Sequence, residues 1–445
     1  MAGIAGIAEP GAVGLVNRML DKISHRGPAG RQVIETPRGT VGVVWPKLQA
    51  ETQTYLVQSH MAMDELDGGH FAMASEDFNL KRDPLGVAPL YYGQSVDGAL
   101  CFASEVKALL EATRQVRELP PGHINDGEKL YLYDTLAKQQ PAYDPPEQVV
   151  KELRRRLEAA VEKHVGGGEV GVWLSGGLDS STAAALARPH LERLHTFVAG
   201  LSGSPDLEHA RVTADYLGCK HHEVIVQFDH LLTILPDVIY HLESFDALLV
   251  RSSLMNYLVA KRAADYVPAV FSGERGDELF AGYEYLKSLH PAKLADELVD
   301  ITNRLHNTAL QRVDRCASAH GLLAYVVFLD PGVVEYAFRI PTELKLHDGV
   351  EKWILRQAIA GALPEAILNR PKAKFWEGAG VGNLLAQYAD RNVSDQDFER
   401  EKLLPGGWLL DSKEELLYYR VFREHFRDLV DLSWMGRTKA VPNPS

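Results

Sequence analysis

The stretch LSGGLDSS at residues 174–181 constrains the fold of this chain more than any other feature. It follows a short apolar run at residues 170–174 and opens a pattern with helical periodicity. Further short apolar runs alternate with amphipathic stretches at residues 196–201, 223–226 and 268–271. This alternation is typical of a doubly wound parallel sheet. We therefore predict an α/β fold here, with a helical part from roughly residue 291 onward.

The first part of the chain has a different pattern. Short β-rich segments such as residues 40–44 and 99–102 are separated by Gly and Pro turns, which predicts a sheet-based domain. Residues 139–146 are polar and rich in proline, and residues 147–164 then show helical periodicity. We therefore predict two domains, at residues 1–142 and 143–445.

The composition of the chain disfavours several kinds of binding partner and site. The formal net charge of −13 disfavours a general grip on nucleic acid or anionic lipid. Cys101, Cys219 and Cys316 are too few and too widely spaced for a disulfide framework or a zinc site. No apolar run approaches the roughly 20 residues that cross a bilayer, and no signal peptide is evident. We expect a cytoplasmic protein with no membrane or nucleic-acid partner.

The residue types in the 174–181 stretch suit phosphate binding. Glycines permit close backbone approach, serine hydroxyls can donate to phosphate oxygens, and a helix N-terminus favours negative charge. Asp179 would repel phosphate by itself, so its natural role is to bind Mg²⁺, and a second carboxylate is expected nearby. The alternative is a plain strand-to-helix turn in which Asp and Ser act only as caps.

With these residues the chain resembles the PP-loop ATP pyrophosphatases, specifically the asparagine synthetase and β-lactam synthetase family, over nearly its whole length. FSGERGDELFAGY at residues 271–283 and NRPKAKF at residues 369–375 resemble two further motifs of that family. The resemblance implies ATP and Mg²⁺, with Asp179 and Asp277 as metal ligands. It also implies Glu274 as the base for an incoming amine and Lys372 as the cation that stabilises the reacting phosphates. The implied ATP and pyrophosphate-binding residues are Leu174, Ser175, Gly176, Gly177, Asp179, Ser180, Ser181, Ser272 and Gly273.

The start of the chain, MAGIAGI, is similar to class II glutamine amidotransferases, which implies an Ntn-hydrolase-like αββα sandwich. Ala2 stands where that family has its nucleophilic cysteine, and alanine has no nucleophilic atom. An engineered Cys-to-Ala change would explain that residue alone. However, the chain also has no Asn-Gly-Glu motif, and Val44-Trp45-Pro46 stands where the family has an arginine. We therefore predict that glutaminase activity was lost naturally, leaving a structural, dimerising or covering domain.

The substrate is predicted from departures within the motifs. Glu274 resembles asparagine synthetase, because β-lactam synthetases have tyrosine there, and Leu323-Ala324-Tyr325 replaces their Glu-Ala-Arg segment. In the segment resembling the aspartate-binding loop, two threonines are replaced by leucines, which cannot supply hydroxyl hydrogen bonds. Our tentative substrate residues are Leu248, Leu249, Arg251 and Arg275.

These departures favour an amide ligase that adenylates a small carboxylate other than aspartate and uses ammonia or a small amine. Three alternatives stay open. The first is an ammonia-dependent asparagine synthetase, the second a peptide macrolactam cyclase, and the third a non-catalytic interaction protein. The resemblance also implies a homodimer.

Overall fold

The computed structural model describes residues 2–47, 62–66, 69–165, 169–372 and 375–439. The N-terminal part contains two antiparallel sheets. Its strands are β1 (Gly3–Ile7), β2 (Gly30–Thr36), β3 (Gly39–Trp45), β4 (Ala62–Leu66), β5 (His70–Ala74), β6 (Leu80–Arg82), β7 (Tyr91–Gln94), β8 (Leu100–Ala103), β9 (Arg117–Glu118), β10 (His123–Asn125) and β11 (Leu130–Leu132).

One sheet has the order β2-β3-β1-β8-β7-β9, and the other has the order β11-β10-β6-β5-β4. The two sheets meet where β4 lies against β1 and β3. Helix α1 (Val13–Lys22) covers β1 and β3 on the other side, so β1 is buried throughout. Burial on both faces explains its continuous small and apolar sequence, GIAGI. Helix α2 (Val106–Leu109) packs beside β7 and β8.

Helix α3 (Pro146–Val165) leads into the second part, where five strands form a parallel sheet. They are β12 (Val170–Trp173), β13 (His195–Leu201), β14 (Lys220–Val226), β15 (Ala269–Ser272) and β16 (Leu323–Val326). The order is β14-β13-β12-β15-β16, so the chain winds outward from β12 in both directions. Because β12 and β15 are neighbours, the loops after their carboxyl ends meet at this topological switch point.

Helices connect and cover these strands, and a short hairpin of β17 (Leu346–His347) and β18 (Val350–Glu351) follows the sheet. The helices are α4 (Leu178–Ala187), α5 (Pro205–Leu217), α6 (Phe228–Leu242), α7 (Ala247–Ala264), α8 (Gly276–Phe280), α9 (Pro291–Asn303), α10 (Ala309–Ser318), α11 (Pro331–Arg339), α12 (Thr342–Lys345), α13 (Trp353–Ala358), α14 (Glu365–Leu368), α15 (Phe375–Gly378), α16 (Leu384–Asn392), α17 (Asp395–Glu401) and α18 (Lys413–His425).

The predicted fold class, a sheet-based Ntn-like part followed by a doubly wound parallel sheet, is confirmed. The four apolar runs predicted as strands are β12, β13, β14 and β15, with ends that differ by a few residues. The strand β16 was missed, because residues 323–325 were interpreted only as the counterpart of the Glu-Ala-Arg segment of β-lactam synthetases. The boundary at residues 142 and 143 stays a prediction, and α3 packs on α4, α11 and α13. No helix within the described ranges is both long and apolar enough to cross a bilayer.

Candidate active site

The loop after β12 is held in a tight shape by its glycines and serines. Gly176 has a φ of +69°, and a Cβ there would lie 2.3 Å from the backbone carbonyl carbon of His209, so a side chain is excluded. The Ser180 hydroxyl accepts from the Ser175 N–H and donates to the Gly177 carbonyl, both at 3.2 Å. The loop leads into α4, whose first N–H groups have no intrahelical acceptor and favour an anion.

Not every residue predicted to bind ATP faces this loop. Leu174 is buried, and its N–H donates to the carbonyl of Phe197 in the neighbouring strand at 2.8 Å. Ser181 is also buried, with its hydroxyl 3.4 Å from that of Thr213 on α5. These two residues therefore support the loop through contacts with β13 and α5.

The segments LSGGLDSS and FSGERGDELFAGY contact each other at two glycines. A Cβ on Gly273, directly after β15, would lie 2.5 Å from the backbone nitrogen of Ser180. A Cβ on Gly276 would lie 2.2 Å from Oδ1 of Asp179. Both positions are too close for any other residue, so the glycines bring the FSGERGDELFAGY segment against the start of α4.

Asp179 and Asp277 are thereby brought together around two lysines. Lys352 Nζ lies 2.6 Å from Asp179 Oδ2 and 2.7 Å from Asp277 Oδ1, and Lys372 Nζ donates to Asp277 Oδ2 at 2.5 Å. Lys352 is 4% exposed. The site therefore holds two carboxylates and two ammonium groups within hydrogen-bonding distance, although Lys352 and Asp179 are 173 residues apart in sequence and Lys372 and Asp277 are 95 apart.

The surroundings of the two carboxyl groups give them different pKa values. Burial raises the pKa of Asp179 to about 6, although Lys352 opposes this, and the charge of Asp277 adds to the increase. Burial would also raise the pKa of Asp277, but Lys352 and Lys372 outweigh it and hold that pKa at about 2. Burial lowers the pKa of Lys372, yet the two aspartates raise it above its usual value. Asp277 therefore keeps its negative charge to a lower pH than Asp179 does.

The residues present fit a magnesium ion bound together with phosphate. Oδ1 of Asp179 is buried and has no hydrogen-bond partner among the described residues, and carboxylate oxygens are ligands that Mg²⁺ prefers. Within the part of the chain that the structure describes, no group of three or more His, Cys, Asp or Glu side chains could hold a metal. The remaining ligands would thus be phosphate oxygens and water, as is usual for Mg²⁺.

Lys352 was missed in the sequence analysis. It precedes α13 in the stretch EKWILR, which looks like an ordinary helix start. Its backbone has a φ of +54°, and a Cβ on Gly282 would lie 2.2 Å from Cε of Lys352. Gly282, in the tail of the predicted FSGERGDELFAGY motif, therefore leaves the space through which this lysine reaches the aspartates.

Arg370 was also missed as a functional residue. Its guanidinium donates to the Ser175 carbonyl at 3.0 Å and to Asp206 Oδ1 at 2.7 Å. Asp206 lies in the first turn of α5. Arg370 thus joins the segment that carries Lys372 to the loop after β12.

Glu274 is oriented by Arg312. Its Oε1 accepts from Nη2 of Arg312 on α10, and the Glu274 side chain keeps 27% of its surface exposed. A carboxylate that is oriented by a buried guanidinium and still reachable can accept a proton from a substrate.

Arg275 has an unusual backbone and an incompletely paired side chain. Its φ is +93°, and the residue is 2% exposed. One guanidinium nitrogen donates to the Leu305 carbonyl at 3.4 Å, whereas Nε and Nη1 have no partner among the described residues. Burial lowers the pKa of this guanidinium, opposed by the charges of Glu278 and Glu274. Strained, incompletely satisfied residues of this kind cluster at functional sites.

The other tentative substrate residues lie on α7. Arg251 is already paired with a carboxylate, because its Nε donates to Glu414 Oε1 at 2.7 Å and its Nη2 donates to Oε2. Leu249 is buried and Leu248 is partly exposed. A role in substrate binding stays a prediction for these three residues.

Ala2 is buried at the start of β1, and its carbonyl accepts from Nε of Arg26 at 3.0 Å. Trp45 packs against Gly30, where a Cβ would lie 2.6 Å from the indole ring. Residues 48–61 lie outside the described residues.

Comparisons with known proteins identify the family of this chain. The family "Asparagine synthase" matches residues 152–303 and 290–440, and the family "Glutamine amidotransferase domain" matches residues 54–143. Asparagine synthetase [glutamine-hydrolyzing] 2 of Arabidopsis thaliana is 36% identical over 397 residues, covering 82% of this chain and 68% of that protein. Asparagine synthetase B [glutamine-hydrolyzing] of Escherichia coli (strain K12) is 36% identical over 399 residues, covering 82% of this chain and 71% of that protein. The NMN synthetase structure from Francisella tularensis covers 67% of this chain and 99% of its own, with a TM-score of 0.31 and 11% identity.

The matched regions include the loops that carry Asp179, Glu274 and Asp277, and the segment that carries Lys372. The chain therefore belongs to the asparagine synthase family of ATP-dependent amide-forming ligases.

Proposed function

We propose that this protein adenylates a small carboxylate other than free aspartate and transfers the acyl group to ammonia or a small amine, without hydrolysing glutamine. The observation that carries the proposal is the cluster of Asp179, Asp277, Lys352 and Lys372 at the carboxyl ends of β12 and β15. It supplies oxygen ligands for a cation and positive charge for phosphates at one place.

In the first step, a carboxylate oxygen of the acceptor attacks the α-phosphorus of ATP, and the bond to pyrophosphate breaks. Lys352 and Lys372 stabilise the negative charge that collects on the leaving pyrophosphate. Asp179 and Asp277 would hold Mg²⁺, which neutralises phosphate charge when bound. The N-terminus of α4 and the glycine-rich loop fix the phosphate position.

In the second step, the amine nitrogen attacks the acyl carbon of the adenylate, and the carbon–oxygen bond to AMP breaks. The attacking nitrogen loses a proton, which Glu274 accepts. Arg312 orients the Glu274 carboxylate for this transfer. Amide, AMP and pyrophosphate are the products.

The proposed acceptor and donor follow from functional groups that three positions of the chain lack. Leu248 and Leu249 cannot donate hydroxyl hydrogen bonds, which disfavours aspartate. Ala2 cannot form a thioester with glutamine, which favours a free amine as donor. The matched amidotransferase region begins at residue 54, beyond Ala2.

We also propose that the protein is cytoplasmic and acts as a homodimer without nucleic acid. The net charge of −13 supports the absence of a nucleic-acid partner. The three cysteines are all unpaired thiols, which suits a reducing compartment.

The test is pyrophosphate release from ATP and Mg²⁺ by the purified protein. Aspartate is compared with a panel of other carboxylates, each with ammonium or glutamine as donor. The D179N variant serves as the inactive reference, and D215N, at an exposed position of α5, is the matched control. We expect release only with acids other than aspartate and only with ammonium. Activity with aspartate and ammonium would support an ammonia-dependent asparagine synthetase, and activity with glutamine would overturn the loss of glutaminase.

A further inference from the structure

Six buried charged side chains connect the N-terminal sheets to the parallel-sheet part. All are at most 4% exposed, and the three positive and three negative groups balance. They are Arg26, Glu105 and Lys107 on the N-terminal side, and Glu243, Asp314 and Arg315 on the other. Buried charges require such pairing, because each is costly without a partner.

Arg26 is the central connection. Its Nε donates to the Ala2 carbonyl at 3.0 Å, and its Nη1 donates to Glu105 at 3.0 Å. Its Nη1 and Nη2 also donate to the two carboxylate oxygens of Asp314, at 2.9 and 3.1 Å. The planar guanidinium therefore fixes β1 to α10 in one orientation.

Helix α10 connects Arg26 to the candidate active site. Arg312 and Asp314 are two residues apart, so they project about 200° apart around the helix. Asp314 faces Arg26, while Arg312 binds Glu274 on the other side. Every residue of α10 from Leu310 to Ser318 is buried, which keeps the helix from rotating.

A second connection runs through Arg315, the residue next to Asp314 on the same helix. Arg315 Nη2 donates to Glu243 at 3.1 Å. The Glu243 carboxylate also accepts the backbone N–H groups of Val106 and Lys107, at 2.9 and 2.7 Å. The N-terminal part therefore contacts α10 both directly and through Glu243.

We propose that the N-terminal domain is retained because it positions Glu274, with Arg26 acting through α10 and Arg312. Arg26 is a positioning residue and does not touch the substrate. The role of Glu274 as base rests on the function proposed above, whereas the mechanical connection does not.

The first test is hydrogen exchange of the full-length protein, with Arg26→Lys as the variant. Lysine keeps the charge and loses the two-point contact with Asp314. We expect the segments at residues 272–283 and 309–318 to exchange roughly tenfold faster. Asp83→Asn is the control, because Asp83 is equally buried and its carboxylate accepts from the N–H groups of Leu85, Val87 and Ala88, all within the N-terminal part. Equal acceleration in both variants, or in neither, overturns the proposal.

The second test separates the two half-reactions, with the best acceptor from the pyrophosphate-release panel. Because Glu274 acts only on the amine, R26K should lower amide formation about tenfold while ATP–pyrophosphate exchange stays within about twofold. In the R312K background, adding R26K should cause no further loss. A further loss of the same size would show that Arg26 does not act through Arg312, and this overturns the proposal.

If R26K does not fold, D314N replaces it in both tests, since asparagine keeps the shape and loses the charge. If no acceptor supports adenylation by the unaltered protein, the proposed function fails. The exchange comparison still decides whether the N-terminal domain positions this loop.

Discussion

Lys352 lies between two buried carboxylates that would otherwise repel one another. A shared ammonium group lets Asp179 and Asp277 approach the same point before any cation binds. In the proposed reaction, the same charge would face the phosphate oxygens of ATP. One residue therefore supports both the folded site and its chemistry, and the two roles can be separated by substitution.

Replacing Lys352 with Gln should lower pyrophosphate release by roughly 10²-fold or more, because one preorganised charged donor at the developing charge is lost. Lys439→Gln is the control, since Lys439 also bridges two carboxylates, Glu297 at 2.7 Å and Asp300 at 3.5 Å, away from this site. Steady-state pyrophosphate release measures both. An equal, small effect of the two substitutions would contradict a role of Lys352 in the reaction.

The two aspartates should respond oppositely to pH in the absence of ligands. The raised pKa of Asp179 means that its contribution to stability is present below pH 4 and is lost as the pH rises through about 6. D179N should therefore be more stable than the unaltered protein at pH 7.5, by at most about 3 kcal/mol from a two-unit shift.

For Asp277 the sign reverses, because its pKa is held at about 2. Its contribution is present above pH 4 and is lost as the pH falls towards 2, so D277N should be less stable than the unaltered protein at pH 7.5. Urea unfolding between pH 4.5 and 7.5 measures both differences. The D179N advantage should grow up to about pH 6, and destabilisation by both substitutions at pH 7.5 would refute the assignment.

The sequence predicted much of this site, because its chemistry is concentrated in short motifs. Asp179, Glu274 and Asp277 each follow a predicted strand, so the adjacency of β12 and β15 brings them together. Lys352 could not be found in this way, since it contacts Asp179 across 173 residues and its local stretch has no distinctive residue type. Arg312, the buried partner of Glu274, lies outside these motifs, on α10.

At the scale of secondary-structure elements, α7 and α18 are joined by a buried ion pair. Arg251 on α7 contacts both oxygens of Glu414, which also accepts from the Tyr418 hydroxyl at 2.8 Å. Glu414 lies in the first turn of α18, where a negative charge is favourable. The arrangement gives Arg251 a structural role that sequence comparison with a substrate loop could not reveal.

The R251Q variant should be destabilised by about 3 kcal/mol, because it leaves the buried Glu414 charge without its partner. The double variant R251Q/E414Q should recover most of this stability, since both charges are then removed. If Arg251 is structural, the double variant also keeps its pyrophosphate release. A stable double variant with a KM for the acceptor raised at least about tenfold would instead support the substrate-binding prediction.

The sequence predicted four of the five described strands of the parallel sheet and missed β16. The run at residues 196–201 extends along nearly all of β13, and residues 147–164 match α3 within a residue at each end. Strand β16 has the same length and burial as the predicted strands β12 and β15, but residues 323–325 were interpreted only as the counterpart of a β-lactam synthetase segment. Its pairing with β15 is what defines it.

At the scale of the whole molecule, the N-terminal domain is bound to the ligase part through charges that neither part can bury alone. Removing one charged residue of such a network leaves its partner buried without an opposite charge. The proposed coupling would explain how a domain with alanine at residue 2 still serves the ligase part. It also bears on whether a nucleophile at residue 2 would by itself give glutaminase activity.

Changing Ala2 to Cys should not produce glutamine hydrolysis. A cysteine at this position would gain a thiol, but the sequence still has no Asn-Gly-Glu motif, and Val44-Trp45-Pro46 still replaces the arginine that would bind the glutamine carboxylate. Without those groups, neither the developing oxyanion nor the substrate is held, and a nucleophile alone gains little. Release of glutamate from glutamine measures the result, with mass spectrometry to verify that Met1 is removed and the thiol is N-terminal. Glutamate release well above that of the unaltered protein would mean that the domain kept a working glutamine site and lost only its nucleophile.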